Sequence, residues 1–111
     1  MPLRYIKIWD LAYSNHFIEK ALCYEMRLAG LKYETQVVIP ILYKGNKLGE
    51  HRLDLLVEEL IIVELKAVDR MEPVFQAQIL SYMRLTGKPL GLLINFNVPV
   101  LHQGIKRVIL K

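Results

Sequence analysis

Hydrophobic and polar positions along the chain follow two different periods. Between Asp10 and Ala29 the apolar residues Leu11, Ile18, Leu22, Met26 and Ala29 recur at steps near three and four, the spacing of one helix face. Gly30 supplies a natural C-cap. The segment "YETQVVIPILY", residues 33–43, is β-branched and apolar and predicts a strand, followed by a turn in "KGNKLGE", residues 44–50. Pro40 inside that strand predicts an edge position or a bulge, because proline donates no ladder hydrogen bond. Two further strands are predicted over Arg52–Val57 and Ile61–Ala67. In "MEPVFQAQILSYMRLTG", residues 71–87, Pro73 suits a first helical turn and Gly87 ends the helix. "PLGLLINF", residues 89–96, is a continuous apolar run, the mark of a strand buried on both faces. "GIKRVIL", residues 104–110, predicts a last, shorter strand. The order helix, three strands, helix, strand, strand predicts an α/β fold, a mixed sheet with helices packed against it. One domain is expected over residues 1–111.

The second and third predicted strands carry charges among their leucines, isoleucines and valines. Side chains alternate faces along a strand. The odd positions Leu53, Leu55, Val57, Ile61, Val63 and Leu65 are all apolar, which predicts one wholly greasy face. The even positions are Arg52, Asp54, Leu56, Ile62, Glu64 and Lys66. If the loop is Glu58, Glu59 and Leu60, Val57 pairs with Ile61, Asp54 lies across from Glu64, and Arg52 lies across from Lys66. Directly opposed Cβ atoms sit about 5 Å apart, so two carboxylates there repel. A divalent cation such as Mg²⁺ (or Mn²⁺) removes that penalty, since hard cations take one or two carboxylates plus phosphate oxygens. Lys66, two residues from Glu64 on the same face, is then placed to neutralise a phosphate or position an attacking water. An exposed mosaic of ordinary surface charges is the competing reading.

Composition narrows the picture further. The chain is 53% hydrophobic, which excludes a disordered chain. No apolar run reaches the roughly 18 residues of a membrane helix, and no signal peptide is expected at the N-terminus. The single Cys23 excludes an internal disulfide and fits a reducing, cytoplasmic location. A net charge of +4 permits a polyanionic partner without demanding one. The high apolar content also leaves a homodimer open. His16, His51 and His102 show no metal-ligand spacing to one another and read as surface or packing residues.

The pattern D-x(9)-E-x-K, met by Asp54, Glu64 and Lys66, resembles the PD-(D/E)xK nuclease superfamily. With "AQILSYMRLTG", "GLLINFNVPVLHQGIKRVIL" and "EKALCYEMRLAGLKYETQVVIPILYKGNKLG" it is similar to the GxxExxY protein family over residues 19–111. The resemblance implies a restriction-endonuclease-like core and hydrolysis of nucleic-acid phosphodiesters, DNA before RNA. Asp54 and Glu64 take the metal-binding roles and Lys66 the assisting lysine. Gln78 and Tyr82, four apart and so on one helix face, fall on the family's AQxxxY element and line the same cleft. Arg52 stands as a candidate to hold a phosphate or pair with Glu64, and Lys106 and Arg107 as phosphate contacts. One departure stands out. The namesake motif aligns with "AYSNHFI", where glycine is Ala12, glutamate is Asn15 and tyrosine is Ile18. Asn15 offers a neutral oxygen in place of the glutamate, and Glu19, one helical turn on, is a substitute carboxylate. The departure also opens the reading of a nuclease fold that binds or assembles without cutting.

Overall fold

The computed structural model of the protein describes residues 15–110. The predicted helix start at Asp10, the motif position Ala12 and the side chain of Asn15 lie outside the described residues. Helix α1 spans Asn15–Leu28, β1 Tyr33–Tyr43, β2 Asn46–Val57 and β3 Ile61–Lys66; α2 spans Pro73–Thr86, β4 Leu90–Asn95 and β5 Ile105–Ile109, with a 3-10 turn over Leu101–Gly104. This is the predicted order. The strands form one sheet, β1-β2-β3-β4-β5. Every neighbouring pair is antiparallel except β3 and β4, which are parallel. That parallel step follows from α2, since parallel neighbours need a long crossover between them. The result is a mixed sheet with a helix on either face, consistent with the restriction-endonuclease-like fold. Among the described residues no helix is long and apolar enough to cross a membrane.

Local sequence explains most boundaries. Pro73 sits in the first turn of α2, and Gly87 closes the helix in the left-handed region at φ 72°. Pro40 lies on β1, which is an edge strand. The predicted turn over 44–50 contracts to Lys44 and Gly45, both at positive φ, and Asn46–Glu50 join β2 instead. A two-residue turn of that twist suits a tight hairpin. The Glu58–Leu60 loop forms as predicted and is closed by Val57 paired with Ile61.

Each face of the sheet buries its own cluster. On one, Ile18, Leu22, Cys23 and Met26 of α1 pack on Leu55, Val57, Val63, Leu65, Ile94 and Phe96. On the other, Ile79 and Met83 of α2 pack on Leu53, Leu56, Ile62, Leu93 and Val108. Gly91 of β4 allows α2 its close seat. A Cβ there would stand 2.8 Å from Met83 Sδ and 2.9 Å from Ile79 Cδ1.

The expected all-apolar odd face breaks at one point. Leu55, Val57, Val63 and Leu65 face α1, but Leu53 belongs to the α2 cluster. Alternation is therefore interrupted at Asp54. Across from it on β1, Gln36 holds φ 53°, and the ladder steps from Thr35–Leu55 to Val37–Leu53 without pairing the residues between. The kink carries Leu53, and His51 two residues before it, onto the α2 face. The described β2–β3 ladder ends at Leu55–Val63, so the expected opposition of Arg52 and Lys66 does not form. Arg52 pairs with Val38 of β1 instead.

Candidate active site

Where β2 and β3 part, Asp54 and Glu64 come together. Both follow the last paired rung, Leu55–Val63, and so occupy the next position outward. Asp54 Oδ2 accepts a 2.7 Å hydrogen bond from the Leu65 amide, so the side chain takes over a contact the ladder would have made. Glu64 is only 6% exposed. Burial is the main cause that pushes its carboxyl up to about 9, with hydrogen bonding and repulsion from Asp54 adding to it. Near neutral pH Glu64 therefore carries a proton when no cation is near.

The cleft beside Glu64, about 270 Å³, is lined by His51, Glu64, Lys66, Phe75, Gln78, Ile79, Tyr82 and Leu93. Strand β3 supplies Glu64 and Lys66, two apart and hence on one face. Lys66 Nζ rests 4.6 Å from the centre of the Phe75 ring, a cation–π contact that holds the ammonium at the cleft wall. Helix α2 supplies Phe75, Gln78 and Tyr82, at three- and four-residue steps along the side turned to the sheet. The predicted group of Glu64, Lys66, Gln78 and Tyr82 thus shares one cleft, with Asp54 against Glu64 at its edge.

His51 was expected to be a surface or packing residue. Its Nε2 lies 2.9 Å from Glu64 Oε1, and its ring stacks on Tyr82 with centroids 4.2 Å apart and planes within 13°. Burial lowers its pKa first, the Lys66 charge lowers it further, and Asp54 opposes both. The pair is therefore a neutral imidazole beside a protonated carboxyl. Tyr82 spends one ring face on this stack, and burial, then the Glu64 charge, raises its pKa. No sequence signal marked His51. On unbroken alternation it falls on the face opposite Asp54, and only the kink brings it into the cleft.

The remaining candidates separate by face. Arg52 is exposed, next to His51 and so turned to the other side, and the partner of Glu64 is His51. This corrects the expected Arg52–Glu64 pairing. Lys106 pairs with Leu93, which pairs with Glu64, so Lys106 projects on the cleft side about two strand spacings, roughly 10 Å, from Glu64. Arg107 pairs with Leu92, which packs in the α1 cluster, and projects from the opposite face. Glu19 accepts a 3.3 Å hydrogen bond from Gln36 and lines a pocket with Cys23 and Arg27 on the α1 side, apart from the Glu64 cleft. Asn95 has a structural task. Its buried amide accepts from the Val68 N–H at 3.0 Å and donates to the Val68 carbonyl at 2.9 Å, which fixes the chain leading into α2.

Two touching carboxyls, one of them desolvated, with a cationic side chain nearby, make donor chemistry suited to a divalent cation. Among the described residues no three His, Cys, Asp or Glu side chains form a ready-made ion cage. Asp54 and Glu64 would be the protein donors to an ion here, with further oxygens left to water or a phosphate, as Mg²⁺ commonly has them. A model of the PD-(D/E)XK nuclease superfamily matches residues 7–108 of the chain. No curated protein and no solved structure matches it.

Proposed function

This chain belongs to the PD-(D/E)XK nuclease superfamily, and from that premise we propose that it is a divalent-metal-dependent nuclease of the GxxExxY branch. It hydrolyses phosphodiester bonds of nucleic acid, with DNA as the substrate, in a reducing cytoplasmic compartment. The observation that carries the reading is the buried Glu64 carboxyl against Asp54, with Lys66 on the same face of the cleft. A cation would displace the Glu64 proton, because its charge offsets the desolvation and the repulsion from Asp54 that the ionised carboxylate otherwise suffers.

Asp54 and Glu64 would hold the metal, Mg²⁺ or Mn²⁺, which would supply polarisation of a phosphoryl oxygen and a lowered pKa of water. The protein's own groups do the rest. Lys66, steadied by Phe75, offers its ammonium to the phosphate or the attacking water. Gln78 presents an uncharged amide that orients substrate or water from the helix side. Tyr82 holds the His51 ring and walls the cleft. Lys106 neutralises a neighbouring phosphate on the same side. Arg52 and Arg107 face away from the cleft, so their charge serves duplex binding only where nucleic acid wraps the sheet edge.

A second reading is a module that binds nucleic acid without cutting it. One observation favours it: among the described residues α1 contributes nothing to the cleft lining, while Glu19 is bonded to Gln36. Plasmid cleavage with Mg²⁺ or Mn²⁺ decides between them. Wild-type protein should cut, and Asp54→Ala should lose about a hundredfold or more. Equal cutting by both proteins overturns the assignment of the site, and binding without cutting by the wild type supports the module.

A further inference from the structure

His51 belongs neither to the superfamily pattern of Asp54, Glu64 and Lys66 nor to the packing core, yet two contacts hold it in the cleft. Its ring is fixed on one side by Tyr82 at 4.2 Å, and its Nε2 points at Glu64 Oε1 at 2.9 Å. Neighbouring donors around an octahedral ion with bonds near 2.1 Å lie about 3 Å apart. The Nε2 and Oε1 atoms already stand at that separation. An ion bonded to both would stand to one side of the line between them, so it would displace their shared hydrogen bond while the two atoms keep their separation.

We propose that His51 is a direct ligand of the ion held at Glu64, making this a mixed nitrogen–oxygen site that prefers a transition-series cation such as Mn²⁺ to Mg²⁺. The inference rests on the metal-dependent reading above. It follows from ligand chemistry: imidazole nitrogen suits transition metals, whereas Mg²⁺ strongly prefers oxygen. Mn²⁺ tolerates both donor types. The stack on Tyr82 keeps the imidazole plane aimed at Glu64, so the ordering cost of recruiting a side chain from solvent is already met by folding. It also gives β2 a donor on the cleft side, where α1 places none among the described residues.

The test is pulsed EPR on the whole protein loaded with Mn²⁺, alongside titrations of Mn²⁺ and Mg²⁺ binding. The wild type should show coupling of the bound Mn²⁺ to an imidazole nitrogen. His51→Phe keeps an aromatic ring for the Tyr82 stack and removes the donor, so the nitrogen coupling should vanish. The preference for Mn²⁺ over Mg²⁺ should then fall by about tenfold. His51→Gln, which keeps a polar partner for Glu64, should show the same loss and guards against a misfolded Phe variant. Glu64→Gln should weaken binding of both ions. Mn²⁺ bound without nitrogen coupling, or coupling that persists in both His51 variants, overturns the proposal. Plasmid cleavage by the same wild-type sample with Mg²⁺ separates the two readings. Cleavage without nitrogen coupling sinks the His51 ligand alone, whereas failure both to bind Mn²⁺ and to cleave sinks the nuclease as well.

Discussion

The two faces of the sheet use the same strands and bury different chemistry. Under α1 the cluster is apolar throughout, with Leu55, Val57, Val63 and Leu65 of the β2–β3 hairpin as its floor. Under α2 the floor begins the same way, with Leu56 and Ile62 near the turn, and then changes to Glu64, Lys66 and His51. The change falls where β2 and β3 stop pairing. Continuous ladder on one side of that point gives a dry core, because backbone groups are satisfied and apolar side chains interdigitate. Past it, the free Leu65 amide is bonded by Asp54, and the space between diverging strands holds the titratable groups. A cleft in this fold is thus a place where a ladder ends under a helix.

The comparison breaks most visibly through stability. Leu55→Ala, on the fully buried α1 side, should cost roughly 2–5 kcal/mol in denaturant unfolding, with cleavage per folded molecule unchanged. A matching loss of intrinsic activity would mean that the two faces are not independent.

The α2 side should show itself through pH. The Glu64 carboxyl has a folded-state pKa near 9 against an ordinary value of 4.5, so the folded protein binds the extra proton between these limits. Metal-free stability should therefore fall as pH rises from about 5 to 9, by at most about 1.4 kcal/mol per pH unit. His51, lowered below 6.5, acts oppositely and only at the acid end of that window. Thermal unfolding across this range should show the decline in wild-type protein and a much flatter profile in Glu64→Gln. Equal slopes would show that Glu64 is not the titrating group.

The smallest effect sharpens the assignment of faces. In DNA binding against salt concentration, Lys106→Ala should reduce the slope by about one, as one lost phosphate contact does. Arg107→Ala, on the α1 side, should leave it unchanged. The reverse result would put the nucleic acid on the other face.

Much of this architecture is legible in the sequence. Helix and strand periods, Pro73, Gly87 and Pro40 are local signals, and each predicted element formed in its place in the order, with the predicted helix start at Asp10 outside the described residues and β2 beginning at Asn46 and not at Arg52. The Glu58–Leu60 loop followed from strand spacing, and with it the approach of Asp54 to Glu64. The sequence predicts too wide a turn at Lys44–Gly45 because Lys47, Gly49 and Glu50 are polar or small, while a ribbon paired on one edge tolerates both. Arg52 and His51 were exchanged, in effect: the charged residue was expected at the acids and the histidine on the surface. Unbroken alternation favours that arrangement, and the positive φ of Gln36 that undoes it has no mark in the residue type.

By itself, then, the chain determined its elements, their order and the carboxylate–carboxylate–lysine spacing, because those depend on neighbours within a few residues or across one short hairpin. Only tertiary structure decided that Glu64 keeps a proton, that Lys106 and Arg107 part to opposite faces, and that His51 joins the cleft. Each of those depends on which helix covers which face and on a kink set by a partner strand, and such relations arise only when distant segments pack together.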